Sequence, residues 1–449
     1  MNREQRIEYL ERLRSGKKPY GSKEVWYKSK RQNIPVFEID LQYLIYNAYN
    51  GRIASFVKSY EKQTGNRLDA AKSEDVATIE RFLWDSNLPG NKETKKSLKE
   101  RRQLEYGIVT KDGVIIDGNR RAMLIRQLAG EAAEQPAYFL AVILEETLDQ
   151  NPKEIMRLET TYQMGEDAKV DYNAIEKYLK CKDLKSYSFS EAEIGKMMGE
   201  SEPTIMEYLE IMALMDDYLD KLGYSGIYTR LDKTEGAFVD LNRYLNKFKG
   251  KISGMATWAY TDADVEDLKL VYFDYIQFMY NKKGKKTEEA GGIFGTEDSK
   301  DYRVIGKPSK KESLFCASER IWAEFRDNHF KMVDPVRKEF EEGDLAIDTL
   351  RAKNKDLDLN TLLKRRDEEW ANQVGSKLKA NLGEARYGLQ NFNSQNEPEL
   401  LLSRALNTLR SVDSSSKSFR EKPEVEELVS EINSLTWEFK QLIKKGGVE

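Results

Sequence analysis

Two adjacent arginines, Arg120 and Arg121, follow Gly118 and Asn119 at the end of the apolar run Val114-Ile115-Ile116-Asp117. Guanidiniums fork onto phosphate oxygens, so a pair of them suits a di- or triphosphate better than a neutral ligand. The run before them reads as a short buried β-strand. The stretch after them, Ala122-Met123-Leu124-Ile125-Arg126-Gln127-Leu128, reads as an amphipathic helix. A helix start presents unpaired N–H groups and the positive end of the macrodipole, and both favour an anion. Gly118 lets the backbone approach such a ligand or take a φ that a side chain forbids. The alternative is an ordinary strand-to-helix turn with solvated arginines.

The elements that must hold this turn can be read on either side of it. Residues 1–34 are basic and polar and read as an arm or a short helix. Pro35-Val36-Phe37-Glu38-Ile39 alternates like a strand. Asn47-Ala48-Tyr49-Asn50-Gly51-Arg52 makes a turn that carries an arginine, and residues 53–104 read as helical with a polar stretch at 63–75. Lys111-Asp112-Gly113 between two apolar runs predicts a hairpin, and Ala137 to Leu144 another buried strand. The first 145 residues thus form a small α+β domain.

From Asn151 onward the apolar spacing turns helical. Ser190 with Glu193 makes a capping box, the helix stops at Gly199, and Ser201 starts a second helix with Ile205, Leu209 and Met212 on one face. Two short helices so joined predict a helix-turn-helix, with a tight helical hairpin as the alternative. A Gly- and Lys-rich stretch follows and reads as a linker. The final helix carries Val425, Leu428, Val429, Ile432, Leu435, Phe439 and Leu442 as a stripe. Such a stripe is expected to bury in the chain's own bundle, a homodimer contact being its other use.

Composition narrows the function classes. At 449 residues the chain is too long for one core. Its net charge of −4 excludes a globally basic nucleic-acid coat, so contact with DNA needs a local patch. Lys95, Lys96 and Arg102, within a run that also holds Lys92, Lys99 and Arg101, are the best candidates for phosphate-backbone contacts. A solvated helix face is their other reading. No apolar run approaches the roughly 20 residues that span a bilayer. Cys181 and Cys316 fit no metal spacing and point to a reduced, cytoplasmic protein without structural disulfides. His329 is the sole histidine, which removes most of the appeal of His-rich metal sites and Ser-His-Asp triads.

The order of a strand, a Gly-Asn-Arg-Arg helix start, a further helix and a helix-turn-helix resembles the ParB family. Gly118-Asn119-Arg120-Arg121 is similar to that family's Gly-Glu-Arg-Arg box, and Asn50-Gly51-Arg52 to its Asn-Pro-Arg segment. Glu159-Thr160-Thr161 resembles the start of its second box, and Asp171-Tyr172-Asn173-Ala174-Ile175-Glu176 the helix that follows. The resemblance covers roughly residues 35–220. It implies an α+β ParB/sulfiredoxin-like domain followed by mostly α-helical domains that include the helix-turn-helix. The implied boundaries are an arm at 1–34, a nucleotide-binding domain at 35–150 and a helical domain at 151–282. A linker or exposed loop at 283–311 and a helical C-terminal domain at 312–449 complete them.

The resemblance further implies a switch gated by a nucleoside triphosphate, CTP or ATP, with Mg2+. Gly118 and Asn119 would offer N–H groups, Arg120, Arg121 and Arg52 would meet the phosphates, and Glu159 would help hold the metal. Two positions depart from the family. Thr160 stands where the family has a metal-binding Asn, and the phosphate-contacting Arg is replaced by Lys169, or by Gln163 if no gap is allowed. Thr160 is a weaker ligand with no carbonyl oxygen, and either replacement of the Arg loses its bidentate fork, so hydrolysis is expected to be slow or absent. The predicted recognition helix displays Glu202, Thr204, Glu207, Tyr208 and Glu210, and its carboxylates oppose a phosphate-lined groove. The switch would act on DNA or on a protein partner. Two alternatives stay open: a DNA-binding partition or regulatory protein with a vestigial pocket, and a ParB-like nuclease using Asp112, Asp117 and Glu159. Sulfiredoxin-type chemistry needs a cysteine where Asn119 stands.

Overall fold

A computed structural model describes residues 1–28, 30–131, 137–165, 172–249, 254–281, 302–354, 359–416, 419 and 422–446. Lys169, with the rest of 166–171, lies outside the described residues, as do Lys282, Lys283, Lys285 and Lys286. The chain forms two compact units, Met1–Leu382 and Gly383–Glu449.

The first unit opens with helix α1 (Arg3–Gly16), started by a capping box between Asn2 and Gln5. Strands β1 (Gly21–Tyr27) and β2 (Lys30–Asp40) follow as an antiparallel hairpin. Within residues 1–34 the short helix expected there is α1, and β1 and the start of β2 join the sheet. Leu10 and Leu13 are buried, and the buried Arg6 donates Nε to the Asp112 carbonyl at 2.8 Å. Strand β3 (Ile45–Tyr46) precedes three helices, α2 (Ala54–Thr64), α3 (Ser73–Asp85) and α4 (Leu88–Arg101). Strands β4 (Gly107–Val109) and β5 (Val114–Asp117) pair across the Asp112-Gly113 turn, as that dipeptide predicts. Helix α5 (Asn119–Glu131) and strand β6 (Tyr138–Ile143) complete the α+β portion.

Among the described residues these strands form one six-stranded sheet in the order β1-β2-β6-β4-β5-β3. β3 runs parallel to β5 and β4 parallel to β6, while the other pairs are antiparallel. The sheet is buried on both faces, which explains why its central strands are continuous apolar runs. Phe37, Val109, Ile115, Phe139 and Ala141 pack with residues of α1 to α5 on one face. Val36, Ile108, Ile116 and Val142 pack on the other with Ile155 and Leu158 of helix α6 (Pro152–Met164).

Beyond the sheet the described chain is helical. α7 (Ala174–Ser186), α8 (Glu191–Met198) and α9 (Glu202–Lys221) share a core with the end of α6 through Cys181, Phe189, Ile194, Met197 and Ile205. α8 ends on Gly199, and the next helix starts three residues later. That second helix is not short: its 20 residues continue into a bundle where Tyr218 packs edge-on to Phe238 and Phe273. The bundle adds α10 (Glu235–Lys249), α11 (Asp262–Asn281), α12 (Leu314–Ala317), α13 (Glu319–Glu342), α14 (Ile347–Lys353) and the first part of α15 (Leu359–Arg410). Within the segment expected to be a linker, Tyr302 and Ile305 are buried rather than exposed.

The second unit contains the rest of α15 and helix α16 (Pro423–Gly446). Its apolar stripe does not bury in a bundle, because Leu428, Val429, Leu435, Phe439 and Leu442 are all exposed.

Candidate functional site

The Val-Ile-Ile strand and the arginine-bearing helix meet as their sequence requires. β5 ends at Asp117, Gly118 takes a φ of +100°, and α5 starts at Asn119. A Cβ on Gly118 would lie 2.6 Å from the ring of Phe139, so conformation and packing both demand glycine here. The N–H groups of Asn119, Arg120 and Arg121 find no acceptor among the described residues.

The residues expected to act together have different surroundings. Arg120 donates Nε to Asn91 Oδ1 at 2.7 Å, and Asn91 is itself locked by bonds to the Leu83 and Trp84 carbonyls. Arg120 makes no ion pair with a carboxylate among the described residues. Burial lowers its pKa to about 10, and the positive charges of Arg52 and Arg121 push the same way. Arg52 lies with its guanidinium 4.4 Å from the centre of the Tyr172 ring, and it too has no carboxylate partner among the described residues. Arg121 differs. It pairs with Asp117 at 3.0 Å and donates to the Glu105 carbonyl, so its charge is already met. The Asn119 side chain is committed to the protein, accepting from the Asn47 N–H at 2.9 Å and donating to the Ile115 carbonyl at 2.9 Å.

Glu159, Thr160 and Gln163 on α6 are buried and turned inward. Glu159 pairs through Oε2 with Lys180 of α7 at 2.8 Å, both side chains being about 95% buried. Its other oxygen accepts from the Gly51 N–H at 3.3 Å and from Asn47 Nδ2 at 3.4 Å. Thr160 donates to the Met156 carbonyl, and Gln163 donates to the Ile116 carbonyl while accepting from the Tyr172 hydroxyl. Magnesium does not fit this set. It wants near-octahedral oxygen coordination from one or two carboxylates, and the single carboxylate here already holds an ammonium and two N–H donors.

The three carboxylates of the nuclease reading do not converge. Asp112 bonds Thr110 and Arg3, Asp117 bonds Arg121, and Glu159 bonds Lys180. Among the described residues no three His, Cys, Asp or Glu side chains are grouped to hold a metal. Of the basic residues on and after α4, Lys92, Lys96, Lys99, Arg101 and Arg102 are exposed, whereas Lys95 pairs with Glu131 of α5 at 2.6 Å. On α9, Glu202 and Glu207 face solvent, Glu210 accepts from Asn242 and Asn246, and Tyr208 bonds Glu200.

The sequence assigns no role to five residues that position this site, although Asn47, Tyr172 and Glu176 lie in segments it singles out. Asn91 holds Arg120, Tyr172 carries Arg52, Asn47 ties Asn119 to Glu159, and Lys180 neutralises Glu159. Glu176 of α7 accepts from the Ser55 N–H and hydroxyl, which caps α2 from another helix where Ile53 offers no side-chain cap.

No family model matches the chain, and no curated protein matches it. It is similar to a solved structure of the C-terminally truncated chromosome-partitioning protein ParB from Caulobacter crescentus complexed with CTP-gamma-S. Identity is 16%, over 46% of this chain and 92% of that one, with a TM-score of 0.16. At that score the likeness establishes neither fold nor function. No helix among the described residues is long and apolar enough to cross a membrane.

Proposed function

We propose that this chain is a nucleotide-gated switch that binds a nucleoside triphosphate, CTP or ATP, where β5 turns into α5. One observation carries the reading. Arg120 and Arg52 repel each other in a partly buried setting, neither has a carboxylate partner among the described residues, and they stand beside free N–H groups of a helix start. Like charges gathered without a counter-charge are costly, and an anion relieves that cost. Gly118 gives such an anion backbone access, and the sequence resemblance to ParB's Gly-Glu-Arg-Arg box supplies the triphosphate. Arg121, already paired, would help place the turn more than bind the ligand.

The switch would act on DNA or on a protein partner. Exposed Lys96 and Arg102 favour contacts with the DNA backbone, while Glu202 and Glu207 disfavour base reading by α9. Slow hydrolysis stays part of the proposal, with no residue assigned to it.

The test is thermal unfolding with each of the four nucleoside triphosphates. At a ligand concentration of 100 Kd, stabilisation of about 2.7 kcal/mol is expected, and Arg120→Ala should abolish it. A melting temperature unmoved by any triphosphate would remove this reading.

A further inference from the structure

The proposed anion site is linked by hydrogen bonds to a fully buried charge pair. Asn119 accepts from the Asn47 N–H, Asn47 Nδ2 reaches Glu159 Oε1, and Glu159 Oε2 holds Lys180 Nζ at 2.8 Å. The Gly51 N–H, one residue before Arg52, also lies on Glu159 at 3.3 Å. A Cβ on Gly51 would meet Met164, Lys180 and Gln163 within 3.3 to 3.8 Å, so the loop bearing Arg52 sits directly on this pair. An unpaired Glu159 would repel phosphate oxygens or require a divalent cation between them. Lys180 cancels that charge from the neighbouring helix. Thr160 and Gln163 add no second carboxylate beside it, and both side chains are bonded to the protein's own groups.

We infer that Lys180 takes the place of a divalent metal in this site, so that the phosphate-bearing ligand is bound without magnesium. The inference rests on the anion-binding reading above, and its test separates the two. Calorimetry on the full chain with CTP, ATP and inorganic tripolyphosphate is run in EDTA and again in magnesium chloride. Wild-type Kd values should agree within about twofold between the two buffers. Lys180→Met exposes the ligand to an uncompensated Glu159, so binding in EDTA should weaken about tenfold or more and magnesium should restore it. Lys180→Met combined with Glu159→Gln removes both charges and should again be insensitive to magnesium. That double variant also decides the matter if the single one does not fold, because it leaves no lone buried charge. Wild-type binding that needs magnesium overturns the inference and leaves the anion site standing. So does a folded Lys180→Met variant that binds equally in both buffers. If none of the three probes binds wild type in either buffer, the anion-binding reading itself falls.

Discussion

At Gly118 a hydrogen atom does what no side chain can. The residue combines a φ of +100° with a Phe139 ring where a Cβ would sit, so Gly118→Ala meets strain and overlap together. Gly118→Ala should lower stability by about 2 kcal/mol or more, measured by denaturant unfolding. A loss within error of zero would show that the turn relaxes freely and that its geometry is not fixed by this residue. The arginines beside it share a sequence and part company in space. Arg121 is satisfied by Asp117, whereas Arg120 has the neutral Asn91 as its hydrogen-bond partner and, among the described residues, no carboxylate, with Arg52, Arg121 and Tyr172 near it. The sequence shows two equal guanidiniums, and only their neighbours in space distinguish the paired one from the one without a carboxylate partner among the described residues.

Helix α2 illustrates how elements hold one another. Its first turn lacks a side-chain cap of its own, and the carboxylate of Glu176 on α7 supplies one by accepting from Ser55, at the end of α2 that adjoins Arg52. Burial raises the Glu176 pKa to about 7 against the pull of those hydrogen bonds. Its folded-state pKa therefore exceeds the unfolded one. Between the ordinary glutamate range and about 7 the folded chain binds the extra proton, so stability falls as pH rises across that window. The slope from this group is about 1.4 kcal/mol per pH unit at most. Glu176→Gln keeps an acceptor at the helix start without the ionisation. Its stability should fall less steeply between pH values of about 4.5 and 7, followed by urea unfolding at several pH values. Identical slopes for both proteins would mean that Glu176 does not titrate there.

For the whole molecule, a net charge of −4 leaves DNA attraction to local groups. Lys96 and Arg102 are exposed, Lys95 is offset by Glu131, and α9 shows carboxylates to solvent. Retention of duplex DNA should fall steeply with salt, weaken in the Lys96→Gln, Arg102→Gln double variant, and be unaffected by Glu207→Lys. Tight, sequence-selective retention that persists at high salt would contradict this and return the reading role to α9. In the second unit, α16 presents Leu428, Leu435 and Leu442 at seven-residue intervals to solvent.

Much of the α+β portion was legible in the residues. The Asp112-Gly113 turn, the β-branched run before Gly118 and the capping box at Ser190 are local features, and local hydrogen bonding and steric limits decide them. Part of β2 was legible in Pro35–Ile39, but β1 was not, because a charged edge strand lacks the apolar pattern that marks inner strands. The fate of the charges was not legible either. Glu159 is 21 residues from Lys180, Arg120 is 29 from Asn91, and Ser55 is 121 from Glu176. Such pairings depend on which helices the sheet brings side by side. By itself the sequence determined the strand, the glycine turn and the arginine-bearing helix, since each follows from neighbours along the chain. Only tertiary packing decided which guanidiniums lack a carboxylate partner among the described residues and which carboxylate is paired with an ammonium, because electrostatic balance is set by distance in space and by burial.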